Sequence, residues 1–139
     1  MRDNNFLRER FLKIYQEHFA DFKLRNKIIL KFGRSAKTRL GSIKLNSKKQ
    51  SVITINGLFR SEEVPLFVID GTLAHEFVHY MHGFNSEIDC QFQHPHRGGI
   101  VDKELIKRGF REILMEQKIW LKREWPKAIR NSELGIGEK

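Results

Sequence analysis

The stretch His75-Glu76-Phe77-Val78-His79 decides how this chain is interpreted. Residues four apart on a helix differ in direction by about 40°, so the two imidazoles would project side by side. Such a pair can chelate one Zn²⁺ at about 2.0–2.1 Å per nitrogen. Glu76 lies about 100° from His75, where it is poorly placed to share the metal but can act as general base on a zinc-bound water. The motif therefore predicts a zinc-dependent hydrolase with its site on a helix.

The surrounding sequence supports a helix at the motif. Ser61-Glu62-Glu63-Val64-Pro65 has the composition of a helix start, with a cap candidate, early acids and a proline in the first turn. The helix is predicted from about Val64 to His82, ending at Gly83. Its inward-facing apolar residues would include Leu73, Phe77 and Val78.

A catalytic zinc usually has three protein ligands and one open position. His82 follows His75 by seven residues, about 10.5 Å along the axis, which is too far for one ion to accept both with His79. His96 is the favoured third ligand because it is closer to the next helix and precedes a flexible stretch, residues 97–99. His94, in the same predicted loop, is the alternative.

The transition state of such a hydrolysis carries negative charge on oxygen, which a positioned donor stabilises. Three side chains near the motif have suitable donors, namely Arg97, His82 and Tyr80. The sequence does not choose among them.

The remaining periodicities predict one helix before the motif, three short strands and one long helix after it. In chain order these are residues 6–22, 27–32, 42–46, 52–56, and a helix from Asp102 to a stop or kink at Pro126. The expected fold class is α+β, with a small basic sheet packed on the motif helix and helices flanking it. Residues 1–139 are predicted to form one domain, with 130–139 as a frayed tail.

Positive charge is concentrated in one part of the chain. The net charge is +9, and residues 22–61 contain no Asp or Glu but eleven Lys or Arg. A block of one sign creates a positive face whose natural partner is a polyanion, nucleic acid above all. The residues predicted to bind nucleic acid are Lys31, Arg34, Lys37, Arg39, Lys44, Lys48 and Lys49.

Cysteine content and hydropathy limit the class of protein. A single cysteine, Cys90, excludes an internal disulfide framework and a four-cysteine zinc ribbon. The polar start and the short apolar stretches predict neither a signal peptide nor a membrane span. A cytoplasmic location is expected, associated with the nucleoid if the source is prokaryotic.

The chain resembles the SprT-like metalloproteases, the Spartan-type group of zincins. The resemblance extends from about Ile28 to Trp125 and includes Arg39-Leu40-Gly41, Ile55-Asn56, the motif helix and a histidine before another long helix. It implies a compact zincin-like domain in which His75, His79 and either His94 or His96 bind zinc and Glu76 is the base. The family often has His-Gly-x-x-Phe at the third ligand, whereas Arg97-Gly98-Gly99-Ile100 follows His96 here.

The resemblance also implies a substrate, because Spartan-type proteases act on proteins attached to DNA and are stimulated by DNA. The expected function is therefore a zinc endopeptidase acting on DNA-bound or DNA-crosslinked protein, with single-stranded or damaged DNA as a partner. Two alternatives stay open: a zinc-dependent hydrolase of nucleic acid, and a non-catalytic nucleic-acid-binding module with structural zinc. The oligomeric state and the choice between DNA and RNA as the bound nucleic acid are left open.

Overall fold

The computed structural model describes residues 1–83 and 99–133, which form five helices and a small sheet. The elements in chain order are α1 (Asn4–His18), β1 (Ile28–Phe32), β2 (Gly41–Leu45), β3 (Ser51–Ile55), a 3₁₀ turn (Gly57–Arg60), α2 (Leu66–Met81), α3 (Ile100–Lys107), α4 (Arg111–Arg123) and α5 (Trp125–Glu133). The predicted α+β class is confirmed.

The sheet has three strands in the order β1-β3-β2. β1 runs parallel to the central strand β3, and β2 runs antiparallel to β3, to which residues 46–50 connect it. In β3, Ser51, Ile53 and Ile55 are buried while Val52 and Thr54 are partly exposed. The alternation gives the sheet one face on the core and one open face.

Helix α2 lies at the centre of the molecule and contacts α1, α3, α4 and the sheet. Phe77 is fully buried and packs edge-on against rings from α1 and the turn that follows it, those of Phe11, Tyr15, Phe19 and Phe22. Because α2 is covered on most sides, its sequence is apolar almost all round. Within the described ranges, no helix is long and apolar enough to cross a membrane.

The prediction of one long helix after Asp102 is wrong, since two helices, α3 and α4, occupy this region. They are separated at Gly109, whose φ of +95° is a conformation that other residues rarely adopt. The predicted stop or kink at Pro126 is found close by, because α4 ends at Arg123 and α5 begins at Trp125. Pro126 itself is the second residue of α5, where the missing N–H costs nothing. Residues 130–133 of the predicted tail continue α5, and 134–139 lie outside the described residues.

Two other predicted boundaries also shift. Helix α1 ends at His18 rather than Phe22, with Phe19 as its cap. Ser61 does not cap α2, because its hydroxyl accepts from the backbone N–H of Glu63 in a turn that precedes the helix. Helix α2 itself begins after Pro65, close to the prediction.

Candidate metal centre and active-site cleft

The two motif histidines lie side by side on α2, as their spacing predicts. Their Nε2 atoms are 3.2 Å apart, and the ring planes make an angle of 74°. Two ligands of a tetrahedral zinc, each bonded at 2.0–2.1 Å, are separated by about 3.3 Å. His79 is buried and His75 is half-buried. This separation fits two ligands of one zinc ion.

The third ligand lies outside what the structure describes. Among residues 1–83 and 99–133, no group of three His, Cys, Asp or Glu side chains could hold a metal. His94 and His96 fall in residues 84–98, as does Arg97, so their roles stay predictions.

Glu76 is buried beside the histidine pair, with only 6% of its surface exposed. Desolvation raises its pKa to about 7, an effect that the positive charge of Arg39 opposes. Its Oε2 faces the start of β2, since a Cβ added to Gly41 would stand 3.4 Å from that oxygen. A carboxyl with a pKa near neutrality is suited to general base catalysis.

His75, Glu76 and His79 face a cleft of about 620 Å³ between α2 and β2. One wall is the edge strand from Gly41 to Lys44 together with the end of the loop before it. An edge strand presents backbone N–H and C=O groups to which an extended peptide can add as a further strand. The cleft thus brings together a buried carboxyl, two adjacent imidazoles and the edge of the sheet.

Gln117 of α4 forms the floor of this cleft and was missed by the sequence analysis. Its Nε2 donates to the carbonyl of Val68 at 3.0 Å and to Oγ1 of Thr72 at 3.1 Å. It also lies against Gly71, where an added Cβ would stand 2.5 Å from its Oε1. Gln117 therefore fixes the turn of α2 that precedes His75. A polar residue within the apolar stripe of α4 was the available signal.

Tyr80 is not among the described residues that line the cleft, so its part in stabilising a transition state stays a prediction. The side chain is fully buried, and its hydroxyl accepts from the backbone N–H groups of Arg25 and Asn26. The same hydroxyl donates to Oδ1 of Asn26 at 2.9 Å. Tyr80 lies about 100° further round α2 than His79, which directs its ring toward this turn.

His82 also lies away from the cleft lining formed by the described residues. It is buried at the C-terminal cap of α2, where desolvation lowers its pKa and the charge of Glu104 opposes that effect. His82 lies beyond the end of α2, one turn from His79, and its role at the reacting oxygen stays a prediction.

The open face of the sheet forms a second concavity, of about 560 Å³. Four cations line it, Lys31, Arg34, Arg39 and Lys44, and we call this set the basic face. No acidic side chain is among its lining in the described chain. Lys48 and Lys49 belong to the adjoining β2–β3 turn, and Lys37 lies in the loop before β2. The structure thus gathers four of the seven predicted cations on one surface.

Comparisons of the chain with models of known protein families, with curated proteins and with solved structures find no match. The family resemblance therefore stays a prediction.

Metal-free protein is expected to lose about 3 kcal/mol of stability between pH 4.5 and pH 8 through Glu76 alone. Below its unfolded pKa of 4.5 the carboxyl is protonated in both states, and above its folded pKa of about 7 it is ionised in both. Between these values the unfolded state releases the proton first, so rising pH favours unfolding.

Urea unfolding in a metal chelator, at pH 4.5 and at pH 8, measures this loss. Glu76→Gln provides the reference, because it retains every other titrating group. The difference in unfolding free energy between variant and wild type should grow with pH in favour of the variant. A difference independent of pH would contradict the prediction.

Proposed function

We propose that this chain is a zinc-dependent endopeptidase of the SprT-like kind that acts on protein bound or crosslinked to DNA. The observation that carries the proposal is the 3.2 Å separation of the His75 and His79 nitrogens, beside a buried Glu76 in a cleft that runs along an edge strand. His96, or His94 in its place, would complete the metal ligands.

Each group in the cleft has a part in peptide hydrolysis. Zinc, when bound, supplies a Lewis acid that polarises a carbonyl and lowers the pKa of a water toward 7. Glu76 accepts the proton of the attacking water and can return it to the leaving amine. His75 and His79 are held in their orientations by the packing of α2, so the carboxylate and the imidazoles converge before substrate binds.

The basic face supports the nucleic-acid part of the proposal. Its cations would contact phosphates, and such contacts carry no sequence requirement. Arg39, Gly41, Ser42 and Lys44 line both concavities, so one edge strand separates them. Protein attached to DNA on the basic face would therefore lie within reach of the cleft.

Hydrolysis of nucleic acid itself is the second candidate. It is favoured by Arg39 and Lys44, because these cations line the catalytic cleft as well as the basic face. A non-catalytic module has less support, since a structural site does not need a buried carboxylate whose ionisation costs stability.

The test is an incubation of zinc-loaded protein with a DNA-binding protein, with and without single-stranded DNA, followed on a gel. We expect cleavage that a chelator abolishes and that DNA accelerates severalfold at low salt. The double variant Lys31→Gln/Arg34→Gln should bind DNA more weakly, with a log–log salt slope smaller by about 1.4 for two lost phosphate contacts.

The other outcomes separate the candidates. Cleavage of the DNA with no cleavage of protein would replace the peptidase by a nuclease. Stoichiometric zinc with no hydrolysis of either substrate would contradict both enzymatic proposals. Protein cleavage that DNA does not change would retain the peptidase and remove the DNA role.

A further inference from the structure

We propose that Arg39 is the specificity-determining residue of the cleft and that it binds a carboxylate side chain of an acidic peptide segment. The inference rests on the proposed function, because it assumes a peptide along β2. It adds a substrate class, namely protein segments that carry Asp or Glu near the bond that is cut.

Arg39 is one of two cations in the described lining of the cleft, and its charge also acts on the buried carboxyl of Glu76. It lines the same cavity as His75, Glu76 and His79, and its side chain is exposed. Across residues 1–83 and 99–133 the ion pairs connect other cations, and none includes Arg39. A guanidinium presents a planar fork of donors that matches a carboxylate bidentately.

The backbone that carries Arg39 is braced from two directions. Asn56 is buried, and its Nδ2 donates to the carbonyls of Ala36 at 2.7 Å and Arg39 at 2.8 Å. Its Oδ1 accepts from the backbone N–H of Ala36 and of Leu58.

The second brace comes from α5, where Nε1 of Trp125 donates to the carbonyl of Lys37 at 2.8 Å. The loop from Arg34 to Leu40 is therefore tied to the end of β3 and to a helix far along the chain. A loop that is fixed before binding loses little conformational entropy when a ligand binds. It therefore binds the ligand more tightly than a loop that must first become ordered.

The charges of the cleft select an acidic partner. Arg39 and Lys44 are cationic, and Glu76 is the one acid among the described lining. The edge strand beside them offers main-chain hydrogen bonds that an extended peptide matches and a nucleic acid backbone does not. The occupant that satisfies both features is a peptide with carboxylate side chains.

The test measures binding to zinc-loaded Glu76→Gln protein, so that cleavage does not consume the probe. The probes are two fluorescent ten-residue peptides, one of alternating alanine and glutamate and one with glutamine at each glutamate. We expect the acidic peptide to bind at least about 10-fold tighter at low salt, as charge-assisted hydrogen bonds allow. Adding Arg39→Gln should reduce that preference to about twofold or less, and Arg39→Lys should restore part of it.

Two further variants test whether the preference for the acidic peptide comes from the fixed position of Arg39 or from the general positive charge of the protein. Arg111→Gln removes an exposed cation of α4 that lines neither concavity in the described chain, and it should leave the preference unchanged. Trp125→Phe keeps a ring against Phe59 but loses the N–H that holds the loop. It should lower the preference two- to threefold, a readout that a merely structural role would not move.

Equal weakening of both peptides by Arg39→Gln would overturn the inference, as would equal binding of the two peptides to the parent protein. An oligonucleotide that displaces the acidic peptide from the cleft, and still does so in the Lys31→Gln/Arg34→Gln variant, would also overturn it. Because binding is measured without hydrolysis, an acid preference that depends on Arg39 supports the inference even if wild type cuts no protein. Protein cleavage without a preference for the acidic peptide would contradict the inference but would still support the peptidase function.

Discussion

Glu76→Gln is expected to lower the rate of protein cleavage by at least about 100-fold while the zinc content stays unchanged. Glutamine has nearly the same shape as glutamate and can occupy the same position near the start of β2. It cannot accept the proton of the attacking water, so the loss falls on the chemical step. The buried charge disappears as well, so the variant should unfold at no lower temperature than wild type at pH 8.

The measurement is kcat/KM on one cleavable protein or peptide, with zinc content and melting temperature determined on the same preparations. His79→Ala is the matched control, because it removes a proposed ligand and should lose both activity and stoichiometric zinc. Activity of Glu76→Gln within tenfold of wild type would show that another group takes the proton. Loss of zinc from Glu76→Gln would instead make the carboxylate a ligand.

The elements nearest the motif could be predicted because local periodicity determines them. Helix α2 and all three strands agree with the predicted ranges to within two residues at each end. The break at Gly109 was missed because the apolar stripe continues on both sides of it, from Leu105 to Leu114. A glycine within such a stripe is compatible with an uninterrupted helix, and only its positive φ distinguishes the two cases.

Contacts between distant parts of the chain fix features of the site that the sequence did not predict. Tyr80 is held by Asn26, and Gln117 by Thr72, pairs that are 54 and 45 residues apart. A single sequence contains no signal for such pairings. The concentration of Lys and Arg in residues 22–61 was recognised from composition. Which of these cations line the cleft, and which lie only on the open face of the sheet, depends on strand alternation and on the braced position of Arg39.

Gly57→Ala is expected to destabilise the protein by about 3 kcal/mol and to lower its melting temperature by roughly 10 °C. A Cβ at this position would stand 2.4 Å from the carbonyl oxygen of Gly33, and 3.1 Å from backbone atoms of Arg34 and Ser35. All three neighbours are main chain, so no side chain can rotate away. The backbone N–H of Gly57 also donates to the carbonyl of Arg34, which brings the two segments together.

Gly33→Ala is the matched comparison, because its added Cβ would meet a side-chain atom, Cγ2 of Thr54, at 2.6 Å. A second substitution, Thr54→Ser, removes that methyl and should restore most of the stability lost at Gly33. It should restore none at Gly57, where the obstacle is a peptide group. Urea and thermal unfolding of five proteins measure this difference: wild type, the two glycine variants, and each glycine variant combined with Thr54→Ser. A melting temperature of Gly57→Ala within about 2 °C of wild type would contradict the prediction. Since the displaced segment begins the loop that carries Arg39, Gly57→Ala protein that still folds should also lose its preference for the acidic peptide.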